Sequence, residues 1–124
     1  MKRILVVDDS SFAYNEIADL VPSDEYEVIA HAKDGEEGIR LYEELKPDIV
    51  TMDIIMPGID GMEAAKEIIQ KDPTATHKII MLSSLCDMDT LNEVHALGMR
   101  HLKRCFPICY LTFRIKECRK RESV

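Results

Sequence analysis

Short apolar runs alternate with segments of helical periodicity along the chain, and this alternation is the feature that most restricts its fold. The apolar runs predict five strands, at residues 3–8, 26–32, 49–53, 78–82 and 99–104. Segments with apolar residues at helical spacing follow them, at residues 11–21, 36–45, 62–71, 87–97 and 107–119. Strands that alternate with helices of this length form right-handed βαβ units around a parallel sheet. The chain is therefore predicted to be an α/β protein.

The number of these units also predicts the strand order. Five units fit a doubly wound parallel sheet in the flavodoxin-like order 2-1-3-4-5, with helices on both faces. A chain of 124 residues suits one hydrophobic core, so residues 1–124 are expected to form a single domain. In such sheets, ligands bind at the edge formed by the carboxyl ends of the strands.

Charge and hydropathy limit the partners that we expect. The net charge is −7, from 16 basic and 23 acidic residues. Residues 100–124 hold eight Lys or Arg and only two acids, so the preceding part is strongly acidic. An acidic body argues against direct nucleic-acid binding. No apolar run approaches the ~20 residues that cross a bilayer, so the chain is expected to be cytoplasmic, without a membrane partner.

Polar residues stand at the ends of three strands that are adjacent in the predicted order. Asp8 and Asp9 end the first strand, Asp53 ends the third, and Ser83 follows the fourth. Carboxylates this close disfavour one another's ionised form, so a proton or a cation must join them. Their hard oxygen atoms suit Mg²⁺, which keeps waters and bridges to phosphate. The pattern predicts Mg²⁺-assisted phosphoryl transfer to Asp53; the simpler alternative is that the acids cap a helix and Ser83 only ends a strand.

Four sequence segments resemble the receiver domains of bacterial two-component response regulators, most closely the single-domain chemotaxis type. They read VVDDS at 6–10, AKDGEEG at 32–38, KPDIVTMDIIMPGIDG at 46–61 and IIMLSS at 79–84. The resemblance covers about residues 2–98. Ser83 also follows Asp53 by 30 positions, a spacing that such receivers commonly show.

The resemblance implies a role for each residue of the predicted site. Asp53 would accept a phosphoryl group from the phosphohistidine of a sensor histidine kinase. Asp9 would bind Mg²⁺ directly, Asp8 would support the metal, and the backbone carbonyl of Ile55 would complete the protein ligands. Ser83 would be the switch hydroxyl that moves toward the phosphoryl oxygens. The chain would then be a signalling domain that catalyses only its own phosphorylation and dephosphorylation.

The region after residue 98 departs from the pattern of this family. Receivers usually end strand five with a lysine that pairs with the phosphoacceptor. An alignment without gaps places Cys105 there, a one-residue deletion places Arg104 there, and Lys103 is a third candidate. Residues 99–124 are therefore atypical, with Arg104 as the provisional substitute for the lysine. The predicted fifth strand is also too polar to be buried on both faces, so we expect it at an edge of the sheet.

Two readings of the output follow from this departure. In the first, phosphorylation changes a surface at about residues 87–118 and so alters binding of a downstream protein of unknown identity. In the second, the chain is a receiver-like binding module whose output is altered or independent of phosphorylation, because the strand-five lysine and aromatic residue are not in place.

Three other classes of function fit the sequence less well. A flavodoxin-like cofactor binder would need a phosphate-cradling loop where Asp8 and Asp9 stand. An aspartate-based hydrolase would need a second acid at the position of Ile55. A zinc site at Cys105, Cys109 and His101 would lack a second ligand cluster.

Overall fold

The protein contains a five-stranded parallel sheet in the order β2-β1-β3-β4-β5. In this computed structural model, residues 1–83 and 88–103 are described. The strands are β1 (Lys2–Val7), β2 (Tyr26–Ala32), β3 (Ile49–Asp53), β4 (Ile79–Ser83) and β5 (Arg100–Lys103). All four strand pairings are parallel. The predicted fold class and strand order are confirmed.

Helices follow the first four strands, and short polar side chains begin three of them. They are α1 (Ser11–Leu20), α2 (Gly35–Leu45), α3 (Gly61–Lys71) and α4 (Met88–Ala96). Ser10, Asp34 and Asp60 each accept a hydrogen bond from a backbone N–H three residues further on. Such caps satisfy backbone donors that have no partner inside the helix. The polar residues before these three helices therefore determine where they begin.

A short 3-10 helix, Pro73–His77, lies between α3 and β4 and was not predicted. Asp72 caps it, since one carboxylate oxygen of Asp72 accepts from the Thr74 backbone N–H at 3.1 Å and from the Thr74 hydroxyl at 2.6 Å. The other oxygen accepts from the Tyr42 hydroxyl at 2.7 Å. The predicted helix at residues 62–71 ends where α3 ends, and Asp72-Pro73 then begins the next helical turn.

The sheet is covered on both faces, as expected. On one face Leu5 and Val7 pack in a buried cluster with residues of α2, α3 and α4. On the other face Ile4 and Val6 pack in a second buried cluster with Ile17 of α1. Successive residues of a strand point to opposite faces, so β1 contributes to both clusters.

Strand β5 lies at an edge of the sheet, next to β4. Its polar sequence is accommodated there, as predicted. The segment 107–119, predicted as a helix, lies outside the described residues, as do Arg104, Cys105 and Cys109. Among the helices that are described, none has both the length and the apolar character needed to cross a bilayer.

Candidate functional site

The carboxyl ends of β1 and β3 bring three acids together. Val7 and Met52 are register partners in these adjacent parallel strands, so the residues that follow them, Asp8 and Asp53, lie side by side. One carboxylate oxygen each from Asp8, Asp9 and Asp53 lies within 4.8 Å of the other two. Asp8 and Asp53 are buried, at 1% and 7% exposure, and Asp9 is exposed. The predicted convergence of these acids is therefore present.

Asp8 is held on several sides by hydrogen bonds. Its backbone N–H donates to the Ala32 carbonyl at 2.9 Å, which extends the pairing between β1 and β2. Its carboxylate Oδ1 accepts from the Ser10 backbone N–H at 2.9 Å. Its own carbonyl accepts from Nε2 of His31 at 2.7 Å. Because these partners come from two segments, the position of Asp8 is well determined.

The environment of Asp53 disfavours its negative charge. The pKa of Asp53 is raised to about 6, first by burial and also by the charge of Asp9, against the opposing effect of hydrogen bonds from the backbone of Ile55 and Ile54. A cation that neutralised the neighbouring charges would favour the ionised form. Asp53 thus has a perturbed pKa at a strand tip, as expected of a reactive carboxyl group.

The start of α3 fixes the backbone around Asp53. The Gly61 N–H donates to the Ile54 carbonyl at 2.7 Å. A Cβ atom at position 61 would lie 2.9 Å from the Cα atom of Ile54, closer than van der Waals contact allows. Only glycine lets the helix approach the strand tip this closely. Asp60 caps α3 immediately before this glycine.

The donor set fits a magnesium ion. Three carboxylate groups within reach of one another supply hard oxygen ligands, and Asp9 leaves one side of the cluster open to solvent. Mg²⁺ takes such ligands while keeping some of its waters. Burial, and then the charge of Asp9, raise the pKa of Asp53, and a divalent cation bound here would favour its ionised form.

The remaining predicted site residues are described only in part. Ser83 is the last residue of β4, and Leu82 before it is the register partner of Asp53. The backbone of Ser83 therefore lies next to the site, while its side chain is outside the described atoms. The Ile55 side chain is 61% exposed beside the cluster. Of the three candidates for the usual lysine, Lys103 ends β5 as the register partner of Ser83, and Arg104 and Cys105 lie outside the described residues.

Sequence reasoning missed one pair of residues next to the acids. His31 donates to the Asp8 carbonyl, and its ring stacks on that of Tyr14 with centroids 4.6 Å apart. The sequence contained one usable signal, because β2 flanks β1 in the predicted order and a histidine near the end of β2 must lie near Asp8. The stacking depends on how α1 crosses the sheet, which no residue pattern specifies.

Known proteins share this fold and much of this sequence. The sequence profile of the response regulator receiver domain matches residues 4–105. The chemotaxis protein CheY of Thermotoga maritima is 48% identical over 99 residues, which are 80% of this chain and 81% of that protein. The crystal structure of the response regulator domain of Thermotoga maritima CheB superimposes with a TM-score of 0.80 at 32% identity, covering all of this chain and 98% of that one.

A third similar structure is a complex that contains ligands. It is the CheX-CheY-BeF3-Mg complex from Borrelia burgdorferi, with a TM-score of 0.82 at 27% identity over 92% of this chain and 86% of that one. That complex contains two proteins, CheX and CheY, together with magnesium and a beryllofluoride group. Given the profile match over most of its length and its high identity to a chemotaxis regulator, the chain belongs to the response regulator receiver domain family.

Proposed function

We propose that this domain is a phosphoacceptor switch that takes a phosphoryl group from the phosphohistidine of a sensor histidine kinase onto Asp53. The observation that carries the proposal is the meeting of Asp8, Asp9 and Asp53, with the pKa of Asp53 raised to about 6. The whole chain, residues 1–124, acts as one receiver domain in the cytoplasm, without direct contact to nucleic acid.

In the proposed reaction, Asp53 is the nucleophile. An ionised oxygen of its carboxylate attacks the phosphorus atom, so that a P–O bond forms while the P–N bond to the imidazole breaks. The leaving nitrogen keeps the electron pair of that bond. The backbone N–H groups of Ile54 and Ile55 favour the ionised form of Asp53. Hydrolysis of the resulting acyl phosphate returns the domain to its starting state.

The metal ligands are assigned from the same cluster. Asp9, Asp53 and the backbone carbonyl of Ile55 would hold Mg²⁺ directly, and Asp8 would support it. When bound, Mg²⁺ neutralises the charge that develops on the phosphoryl oxygens. The hydrogen bonds to Asp8 from Ser10 and His31 keep this buried acid in place.

The proposed switch depends on the strands beside Asp53. Ser83 would hydrogen-bond a phosphoryl oxygen, and Arg104 would supply the positive charge of the usual lysine. Lys103 is the alternative, since its backbone pairs with that of Ser83. Their movement would change the surface at about residues 87–118, which would bind a downstream protein.

Phosphorylation by a small donor tests this proposal. Incubation with acetyl phosphate and Mg²⁺ should add one phosphoryl group to the intact mass, and the addition should disappear in Asp53→Asn and when the metal is chelated. Asp24→Asn is a matched control, because Asp24 is exposed and distant in the sequence from the cluster. A phosphoryl group that persists in Asp53→Asn would exclude Asp53 as the acceptor.

A second candidate is a receiver-like binding module whose output does not follow phosphorylation. It is favoured by Cys105 standing at the ungapped lysine position. Amide hydrogen exchange with and without beryllofluoride and Mg²⁺ separates the two. Changed exchange in residues 87–118 supports the switch, whereas a response confined to residues around Asp53 supports the binding module.

A further inference from the structure

His31 and Tyr14 connect the second strand and the first helix to the acid cluster. The Asp8 carbonyl can only accept a hydrogen bond, so Nε2 of His31 carries the proton in the 2.7 Å contact between them. The imidazole lies almost parallel to the Tyr14 ring, with 4° between their planes. Stacking on an aromatic ring restricts the rotation of the imidazole. The donor nitrogen is thereby held toward Asp8.

An irregularity in β2 places His31 on the correct face of the sheet. The register shifts by one residue between Ile4 and Leu5, where Val28 and Ala30 are their successive partners. After this bulge, His31 pairs with Val6 and shares the face that α1 covers. Without the extra residue, side-chain alternation would place His31 on the opposite face, away from Tyr14.

The hydrogen bond acts on the peptide group that joins the two acids. The carbonyl of Asp8 and the N–H of Asp9 belong to the same planar peptide unit. Fixing the carbonyl therefore fixes the direction in which the chain enters Asp9. Asp9 is exposed, so packing restrains its side chain little. Its backbone is restrained on one side by the His31 hydrogen bond to this peptide and on the other by the Ser10 N–H, which donates to Asp8 Oδ1.

We propose that His31, held by Tyr14, is a positioning residue that orients the Asp8–Asp9 peptide so that Asp9 is preorganised to bind the metal. This inference rests on the proposed function of the acid cluster as a magnesium site. Hydrogen bonds behind a metal ligand commonly change metal affinity by about 10–100-fold. We therefore expect loss of the His31 donor to weaken Mg²⁺ binding by roughly 10-fold.

The test compares two substitutions at position 31 by isothermal titration with Mg²⁺. His31→Leu removes the donor, whereas the terminal amide of His31→Gln can place an N–H near the position of Nε2. The leucine variant should bind Mg²⁺ roughly 10-fold more weakly, and the glutamine variant should recover most of the affinity. A leucine variant that binds as tightly as the parent, or a glutamine variant as weak as leucine, would overturn the proposal.

Substitutions at position 14 give an independent test that leaves the hydrogen-bonding group intact. Tyr14→Phe keeps the stacked ring and should bind Mg²⁺ like the parent. Tyr14→Leu removes it and should weaken binding by a few-fold. Equal affinity of the two variants would contradict the role of stacking. This test stays decisive even if His31→Leu does not fold.

A metal-free measurement separates this inference from the proposed function. In ¹H–¹⁵N spectra of the protein without Mg²⁺, the Asp9 amide should shift in His31→Leu and return in His31→Gln. An unmoved Asp9 amide would contradict the positioning role. If the parent protein itself binds no Mg²⁺ and accepts no phosphoryl group, the proposed function fails, whatever the spectra show.

Discussion

The backbone of Gly61 lies against the carbonyl group of Asp53 so closely that a Cβ atom at position 61 would lie 2.8 Å from the Asp53 carbonyl carbon. This contact joins the first residue of α3 to the tip of β3. Neither backbone segment can move without loss of the helix cap at Asp60 or of the pairing between β3 and β4.

Gly61→Ala should destabilise the protein by about 2 kcal/mol, because the new methyl group meets backbone atoms that cannot rotate away. Urea unfolding measures the loss. Gly58→Ala is the matched control: its φ of +77° is unfavourable for alanine, but among the described residues no atom beyond its chain neighbours lies within 4 Å of the added Cβ. That control should cost only about 1 kcal/mol of left-handed strain. Equal losses would show that collision with the strand tip is not the cause.

The raised pKa of Asp53 predicts that the metal-free protein loses stability as pH increases. The pKa is about 6 in the folded state against a reference value of 3.8, so the folded state holds its proton more tightly than the unfolded state. The resulting stability is complete below the reference pKa and is lost as pH rises through about 6. Asp53→Asn should remove this dependence and be about 1–2 kcal/mol more stable than the parent at pH 7, after allowance for solvent screening. Urea unfolding between pH 4 and pH 8, at about one-unit steps and in the presence of a chelator, measures this pH dependence of the unfolding free energy. If Asp53→Asn showed the same pH dependence as the parent, other groups would be responsible for it.

Magnesium should reverse part of this destabilisation. A ligand that binds only the folded state stabilises it by about 2.7 kcal/mol when its concentration is 100 times its Kd. Thermal unfolding of the parent should therefore move upward with Mg²⁺, and the shift should be much smaller in Asp9→Asn and Asp53→Asn. Asp24→Asn, with its exposed acid, should respond like the parent. A full shift in Asp9→Asn would exclude Asp9 as a metal ligand.

Asp72 should contribute stability that depends on its charge. Hydrogen bonds from the Thr74 and Tyr42 hydroxyl groups hold its pKa below the usual value. This contribution is present above the unfolded-state pKa and is lost as pH falls through the lower folded-state pKa. Asp72→Ala should cost about 1–2 kcal/mol at neutral pH, since it removes a cap and leaves the buried Tyr42 without this acceptor.

The measurement is the difference in unfolding free energy between Asp72→Ala and the parent at neutral and at strongly acidic pH. The difference should shrink in acid. Thr74→Val removes the hydroxyl group that donates to the Asp72 carboxylate. The double variant Asp72→Ala, Thr74→Val should lose less stability than the sum of the two single losses, because the two residues share one interaction. Strictly additive losses would show that Asp72 acts through different contacts.

The sequence was most informative where local chemistry decides the structure. The apolar residues of β2 predicted its limits at 26 and 32, and helical periodicity placed the starts of α2 and α3 within one residue of where they begin, directly after the caps at Asp34 and Asp60. The meeting of Asp8 with Asp53 was also predictable, because adjacent parallel strands bring their carboxyl ends together. These results need only periodicity, capping and strand order.

Features that depend on packing between elements were not predictable in the same way. The bulge beside Ile29 changes which face His31 occupies, yet the residues around it read as a regular strand. The carboxylate of Asp72, which caps the 3-10 helix, also accepts a hydrogen bond from the hydroxyl group of Tyr42, 30 positions away in the chain.

The hydrogen bonds around Asp72 and the acids around Asp53 lie at opposite ends of the same sheet. At one end, hydrogen bonds satisfy the carboxylate of Asp72. At the other end, the carboxylates of Asp8, Asp9 and Asp53 lie close enough to repel one another. At the tip of β3, the residue proposed to accept the phosphoryl group therefore lowers the stability of the folded protein. A selection for heat tolerance alone should enrich variants in which an uncharged residue replaces Asp53. Variants recovered from such a selection would be more stable to heat but unable to accept a phosphoryl group.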